Sequence, residues 1–205
     1  MFSIIQAAGW PIWPLILCSI AALAIIIERF MSLRAAKVAP PTLVDEVLTL
    51  TRSGLPAPDV VDKLHGSSVL GTGIRTAATD ARGDEAQLRN AFETAGRIAS
   101  HRLERYLNAL GTIASAAPLL GLLGTVVGMI EIFGSQSPTS GGNPEQLAHG
   151  ISIALYNTAF GLIIAIPSLM FYRYFRGQVD EFVLQMEQAA ERLLPQLLNP
   201  RAPRR

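Results

Sequence analysis

Residues 107–130 read LNALGTIASAAPLLGLLGTVVGMI, a run of 24 residues without Asp, Glu, Lys or Arg. Residues 146–172 and residues 1–27 form two further uncharged runs. A helix needs about 20 apolar residues to cross the hydrocarbon core of a bilayer, so each run is long enough to span it. The chain is 50% hydrophobic and only 16% charged, against about 25% charged residues in ordinary soluble domains. The sequence therefore predicts an all-α integral membrane protein with three transmembrane helices in the lipid bilayer.

The first run is interpreted as a retained membrane helix. A cleaved signal peptide has a positively charged start, a short apolar core and a small-residue cleavage site. Residues 1–9 contain no Lys or Arg, and the apolar core ends at Glu28 and Arg29 with no such cleavage site after it. We therefore assign residues 1–33 to the first transmembrane helix and its flank. Cys18 is the only cysteine of the chain and lies within this helix, so no intrachain disulfide can form.

The positions of the basic residues predict the orientation. Residues 29–105 contain 11 of the 17 Lys and Arg residues, residues 173–205 contain the other six, and the hairpin at 131–145 contains none. Basic residues stay on the cytoplasmic side in short loops and near span ends. We therefore predict an N-terminus outside, a cytoplasmic helical domain at 34–106, transmembrane helices two and three within 107–172 around an extracytoplasmic hairpin, and a cytoplasmic C-terminal helix and tail.

Two of the transmembrane helices are predicted to continue into the cytoplasm. No strong helix breaker occurs between Asp84 and Pro118, so one uninterrupted helix is expected from Asp84 to Ile132, about 70 Å long at 1.5 Å per residue. Beyond span three, apolar residues recur at helical spacing: Phe171, Phe175, Val179, Phe182, Val183, Met186, Ala190, Leu193, Leu194 and Leu197. This amphipathic pattern predicts that the two extensions pack in a cytoplasmic helical bundle.

Spans two and three each carry a face of small or weakly polar residues. In span two these residues follow each other at steps of three and four: Gly111, Ala114, Pro118, Gly121, Thr125 and Gly128. Span three repeats the spacing with Gly150, Ala154, Thr158, Gly161, Ala165 and Ser168. Small residues let membrane helices approach closely, so the two faces either only pack against each other or line a shared central pore. In a pore, Thr125 and Thr158 would offer hydroxyl groups that donate and accept hydrogen bonds.

The predicted spans contain no Asp, Glu, Lys or Arg. If protons cross the membrane here, the group that titrates must therefore come from another chain. Pro118 and Pro167 lie within spans two and three, where each produces either a kink or a hinge. The candidate residues for the mouth of a pore are Glu131, Ser152 and Asn157.

The sequence shows no arrangement typical of an enzyme. It has no glycine-rich phosphate loop before a lysine, no Cys or His cluster, and no Ser, His and acid arrangement above chance. We therefore predict no catalytic residues, no cofactor, no metal and no nucleic-acid partner.

Two motifs carry a family resemblance. Residues 117–129, APLLGLLGTVVGM, and residues 154–168, ALYNTAFGLIIAIPS, resemble the two signature spans of the MotA/TolQ/ExbB proton-channel family, and the layout of the whole chain is most similar to the ExbB branch. The resemblance implies a homopentameric ring in the bacterial inner membrane, with a periplasmic N-terminus and a cytoplasmic C-terminus. It also implies that the ring encloses the single transmembrane helices of an ExbD-type dimer. Inward proton flow would drive rotation and pass mechanical energy to a TonB-type protein for transport across the outer membrane.

The resemblance also implies roles for individual residues. The proton-carrying aspartate belongs to the ExbD-type partner, and Thr125 and Thr158 correspond by motif position to pore-facing threonines. The further residues expected along the pore are Gly121, Gly128, Ala154, Gly161, Ala165 and Pro118. Ile153 stands where many ExbB and TolQ proteins carry a glutamate. Two alternatives stay open: a TolQ-like stator of the Tol-Pal envelope system, and a structural membrane scaffold whose small-residue faces only pack helices.

Overall fold

The computed structural model describes residues 9–34, 38, 85–134 and 144–198. These residues form helices and no strand, so the predicted all-α class is confirmed for this part of the chain. The helices are α1 (Ile12–Ser32), α2 (Glu85–Leu103), α3 (Leu107–Gly134) and α4 (Pro144–Leu198). Most of the predicted cytoplasmic domain, the centre of the predicted hairpin and the C-terminal tail lie outside the described residues.

Three helices are long and apolar enough to cross a membrane. They are α1, α3 and the Ala148–Pro195 part of α4, with mean hydropathies of 2.0, 2.0 and 1.7. The three predicted spans are therefore present as helices of sufficient length and composition. Their large apolar side chains are often exposed in the single chain, as shown by Leu17 at 71% exposure. Such a surface is suited to contact with lipid or with other membrane helices.

The prediction of one uninterrupted helix from Asp84 to Ile132 is wrong. Helix α2 ends at Leu103 and α3 begins at Leu107, and Tyr106 has a backbone φ of 64°. This left-handed conformation costs a residue other than glycine about 1–2 kcal/mol. Helix α3 then starts directly, since the Leu110 amide donates to the Tyr106 carbonyl at 3.0 Å.

Two arginines from other helices contact the end of α2. Arg29 of α1 is 3% exposed, and its Nη1 donates a hydrogen bond to the Leu103 carbonyl over 2.9 Å. Arg176 of α4 lies 3.0 Å from Glu104, measured from Nη1 to Oε1. The last carbonyls of a helix lack partners within the helix and carry partial negative charge. A buried guanidinium at Leu103 therefore stabilises the end of α2 at this point, although the sequence there contains no Gly or Pro.

Internal contacts divide the chain into two compact units. The first unit comprises Met1–Glu28 and Tyr106–Tyr174, and the second comprises Arg29–Arg105 and Phe175–Arg205. In the first unit, a small core forms around Leu15, Ala117 and Ala165, with Leu120 and Ile164 packed against it.

The second unit buries the predicted apolar face of the C-terminal part of α4. Its buried residues on α4 include Phe175, Val179, Phe182, Met186 and Leu193. The Phe30 ring meets the Phe175 ring edge to face, with centroids 5.1 Å apart. These five predicted positions are therefore buried, whereas Val183, Ala190 and Leu194 of the same pattern are half-buried. The cytoplasmic location of these residues stays a prediction.

The Arg29 contact yields a stability prediction. Replacing Arg29 with Met should lower the unfolding free energy by about 1–3 kcal/mol, because a buried carbonyl loses its charged donor. Thermal unfolding of the detergent-solubilised protein measures the change. Arg34→Met is the control, since Arg34 is exposed. Equal stability of the two variants would show that the Arg29 hydrogen bond contributes nothing to the end of α2.

Candidate functional site on helices α3 and α4

Within the first unit, α3 and α4 touch through their backbones. A Cβ atom added at Gly161 would lie 2.5 Å from the Ala117 carbonyl oxygen, and one at Gly121 would lie 2.7 Å from the Asn157 carbonyl oxygen. Real Cβ atoms do not approach backbone atoms this closely, so only glycine fits without a shift of the helices. Lipid provides little hydrophobic force between helices, and such close packing is what holds membrane helices together.

The pairing is antiparallel along the whole contact. The pairs, from the start of α3 to its end, are Gly111 with Tyr172, Ala117 with Gly161, Gly121 with Asn157 and Thr158, Gly124 with Asn157, Gly128 with Ala154, and Ile132 with Gly150. The small-residue faces predicted from the sequence therefore meet each other within one chain. This contact agrees with the packing interpretation, and the pore interpretation stays a proposal.

The predicted pore residues differ in burial. Gly121, Ala154, Gly161 and Ala165 are buried, whereas Pro118, Thr125, Gly128 and Thr158 are half-buried. The four buried residues serve the contact between the helices. The half-buried ones keep part of their surface open at the edges of this contact.

Asn157 lies in the contact between the two helices, and its place at the mouth of a pore stays a prediction. It is 1% exposed, and a Cβ added at Gly124 would lie 2.6 Å from the Asn157 Cβ and 2.8 Å from its Nδ2. The side chain is therefore seated in the space that Gly124 leaves open, within the helix pair. Sequence reasoning missed Gly124, although it lies three residues after Gly121 and four before Gly128, at the same helical spacing as Thr125.

The two threonine hydroxyls are in different states. The Thr125 Oγ1 donates a hydrogen bond to the Leu122 carbonyl of its own helix over 2.7 Å. The Thr158 Oγ1 is buried and has no hydrogen-bond partner among the described residues. A hydroxyl can donate one hydrogen bond and accept two. The proton of Thr125 is therefore engaged, whereas no group among the described residues engages the Thr158 hydroxyl.

Thr125 also lines a shallow groove of about 500 Å³ on the open side of α3, together with Val126, Met129, Ile130 and Phe133. The hydroxyl is the polar group of an otherwise apolar surface. The groove therefore offers a membrane partner mainly hydrophobic contact, with one group for hydrogen bonding.

The remaining candidate residues lie apart from this pair. Glu131 is exposed near the end of α3, and the exposed Ser152 donates from Oγ to the Ala148 carbonyl of its own helix over 2.9 Å. Helices α3 and α4 continue through Pro118 and the exposed Pro167. The hinge role of either proline stays a prediction.

The chemistry of the site is that of uncharged hydrogen-bonding groups. Residues 107–130 and 146–172 contain no Asp, Glu, Lys or Arg, and the described residues form no His, Cys, Asp or Glu cluster suited to a metal. Hydroxyl and amide groups can orient water or a carboxylate, but they do not change charge near neutral pH. The site can therefore assist ion transfer without carrying the ion's charge itself.

The backbone contact yields a second stability prediction. Gly161→Ala should destabilise the protein by about 1–3 kcal/mol, because the added methyl group forces α4 away from the Ala117 carbonyl. Gly177→Ala makes the same change on the same helix, where a Cβ would have nothing within 4 Å. That control should be neutral or stabilise by up to about 1 kcal/mol through helix propensity. Thermal unfolding in detergent compares the two, and a Gly161→Ala variant as stable as the control would contradict the close approach.

The chain is similar in sequence to several known proteins. The chain is similar to the ExbB-like 3 protein of Synechocystis sp., with 32% identity over 189 residues that cover 91% of this chain and 90% of the relative. It is 30% identical to the biopolymer transport protein exbB1 of Vibrio cholerae over 80% of this chain and 74% of the relative. It is 39% identical to the biopolymer transport protein ExbB of Aquifex aeolicus over 42% of this chain and 57% of the relative.

A family model describes the region that contains the site. The model of the MotA/TolQ/ExbB proton channel family matches residues 63–188, which include α3 and the part of α4 that pairs with it. Together with the three apolar helices, this match makes the protein a multi-pass membrane protein. By this match, and by its similarity to an ExbB-like protein along nearly its whole length, the chain belongs to the MotA/TolQ/ExbB proton channel family.

Proposed function

We propose that the chain is the stator subunit of a proton-driven motor in the bacterial inner membrane, of ExbB type. Membership of a proton channel family supports a channel and motor role, and relatives of the chain are named as biopolymer transport proteins. In this proposal the subunit works with an ExbD-type partner and converts proton-motive force into mechanical energy. A TonB-type protein then uses that energy for transport across the outer membrane.

The observation that carries the proposal is the state of Thr158. Its hydroxyl oxygen is buried in an uncharged helix pair and has no hydrogen-bond partner among the described residues. Burying a polar group without a partner costs free energy, so a hydroxyl in this state favours the approach of a polar partner. Where a movement of the helix pair uncovers this oxygen, a carboxyl group of another chain, or water beside it, would satisfy the hydroxyl and use it to pass a proton.

The absence of Asp, Glu, Lys and Arg from the paired spans supports a titrating group on that partner. An ionisable side chain inside a membrane is costly and is usually functional where it occurs. Neither run of α3 and α4 contains Asp, Glu, Lys or Arg, His149 lies near the start of α4, and Ile153 is apolar. We therefore place the proton-carrying carboxylate on the single-span ExbD-type helix and give Thr158, with Thr125, the role of orienting it.

The proposed assembly is a homopentamer around a dimer of the partner. In the single chain, α3 exposes Leu119, Leu122, Val126 and Ile130 at 49–66%, beside the groove that Thr125 lines. These surfaces are available for neighbouring subunits, the partner helices and lipid. The proposed orientation has a periplasmic N-terminus and a cytoplasmic C-terminus, as the basic residues favour.

A structural scaffold is the second candidate, and one observation favours it. The small-residue faces of α3 and α4 are largely used in contact with each other, as the Gly161 and Gly121 approaches show. A scaffold needs nothing more from these faces. It would assemble with its partners and conduct no protons.

Threonine replacement tests the motor against the scaffold. Valine keeps the shape of threonine without the hydroxyl, so Thr158→Val should lower proton flux about tenfold or more by removing a relay group. Thr125→Val should have a smaller effect because its proton already serves the Leu122 carbonyl, and the double variant should be inactive yet assembled. Proton uptake by vesicles that contain the subunit and its ExbD-type partner measures these effects.

Thr112→Val is the matched control, because the Thr112 hydroxyl donates to the Asn108 carbonyl of its own helix at 2.8 Å and Thr112 is exposed. Full flux in the double variant would remove both threonines from the pathway. An assembled wild-type complex that conducts no protons under any gradient would establish the scaffold. Complementation of strains that lack either the TonB or the Tol-Pal energising system identifies the client.

A further inference from the structure

Asn157 is the buried polar side chain that connects α4 to α3. In the paired spans, Asn157 and Ser168 are both 1% exposed. The Ser168 hydroxyl donates to the Ile164 carbonyl of its own helix over 2.7 Å. The Asn157 side chain instead crosses to α3 and occupies the space beside Gly124, where an added Cβ would lie 2.6 Å from its own Cβ.

The two residues of this contact are each followed in the sequence by a threonine. Thr125 comes directly after Gly124, and Thr158 comes directly after Asn157. Each residue advances a helix by about 1.5 Å, and the two helices run in opposite directions, so the threonines lie roughly one helical turn, about 5 Å, apart along the pair axis. Each threonine is the residue next to this contact in its own helix. The Asn157 contact therefore determines the depth of one hydroxyl relative to the other.

The contact suits a register marker better than the other glycine contacts of the pair. Elsewhere glycine meets backbone, a methyl group, or carbon atoms of Ile132 or the Tyr172 ring, as Gly128 meets the Ala154 Cβ at 3.1 Å. At Gly124 it meets a carboxamide. A small slip of the helices would move this side chain out of the space that Gly124 leaves open and against neighbouring side chains, which a close-packed contact resists.

We infer that Asn157 is a positioning residue: its side chain, seated on Gly124, fixes the register of α3 and α4 and so places the Thr125 and Thr158 hydroxyls for proton transfer. The inference rests on the proposed function, because positioning has a purpose only if protons pass these hydroxyls. In this inference Asn157 neither binds nor transfers the proton. Gly124 is the second residue of this contact, because it leaves open the space in which the Asn157 side chain lies.

A steric exchange tests the inference. Gly124→Ala places a methyl group against the Asn157 side chain, and Asn157→Gly removes the three atoms nearest to this methyl group, Cβ, Cγ and Nδ2. Register is reported by a disulfide between Gly128→Cys and Ala154→Cys in a Cys18→Ser background, since disulfide formation depends steeply on Cβ separation. Proton flux with the partner is measured on the matching proteins without the cysteine pair.

Gly124→Ala should lower both disulfide yield and proton flux, the latter about tenfold or more, since small misplacements of reacting groups are costly. The Gly124→Ala and Asn157→Gly double variant should recover both. Asn157→Leu keeps a side chain of similar size and should retain register and flux. Gly134→Ala is the control on the same helix, where an added Cβ meets nothing within 4 Å, and should change neither.

Three results overturn the inference. Gly124→Ala with unchanged register, or with no recovery on adding Asn157→Gly, would show that this contact does not set register. An altered register with normal flux would show that the threonines do not need it. Asn157→Leu with native register and lost flux would give Asn157 a chemical role instead. If the wild-type complex conducts no protons, the proposed function and the inference fall together, whereas each of the three results leaves the proposed function standing.

Discussion

The approach of the Gly161 backbone to the Ala117 carbonyl is the contact on which the paired spans depend. Within a bilayer, apolar side chains gain little by leaving lipid for another helix, so association comes from close packing and from polar contacts. Backbone contact requires that both helices lack side chains at the crossing, and Gly121 and Gly161 meet this requirement. Once the helix axes lie this close, the sizes of the side chains that fit at the neighbouring positions are restricted. Ala154 fits against Gly128, and the larger Asn157 side chain needs the absence of one at Gly124.

The sequence was sufficient to predict the helices that can span the membrane and the faces of α3 and α4 that meet, because both depend on local patterns of charge and size. It was not sufficient to rank Gly124 against Thr125. Steps of three and four lead from Gly121 to Gly128 through either residue, and an ideal helix places both near the same face. Only the side from which α4 approaches α3 decides whether Gly124 or Thr125 faces it. The hydrogen-bond state of the two threonines likewise depends on tertiary position, so Thr125 and Thr158 were equivalent in the sequence.

The interruption after Leu103 was not predictable for a related reason. Residues 103–107 are Leu, Glu, Arg, Tyr and Leu, which are tolerated in helices, and none of them favours the left-handed conformation of Tyr106. The contacts at this end come from remote parts of the chain, since Arg29 and Leu103 are 74 residues apart. Helix propensities differ by less than about 1 kcal/mol among ordinary residues. A charged hydrogen bond of about 1.5–3 kcal/mol is therefore large enough to compete with the local preference.

The uncharged character of the spans has a consequence for how a motor built on this chain would work. A carboxylate fixed on the stator would bind and release each proton itself, and its pKa would depend on this chain's own packing. Hydroxyl and carboxamide groups remain neutral throughout such a cycle. In the proposed motor they would act by orienting a partner's carboxyl group and by lowering the cost of its charge through hydrogen bonds. The geometry of α3 and α4 would then take the place of a titrating residue, because the position of each hydroxyl, rather than its protonation, would decide where along the partner's path the charged carboxylate is stabilised. A stator of this kind depends on helix register more strongly than one with its own acid.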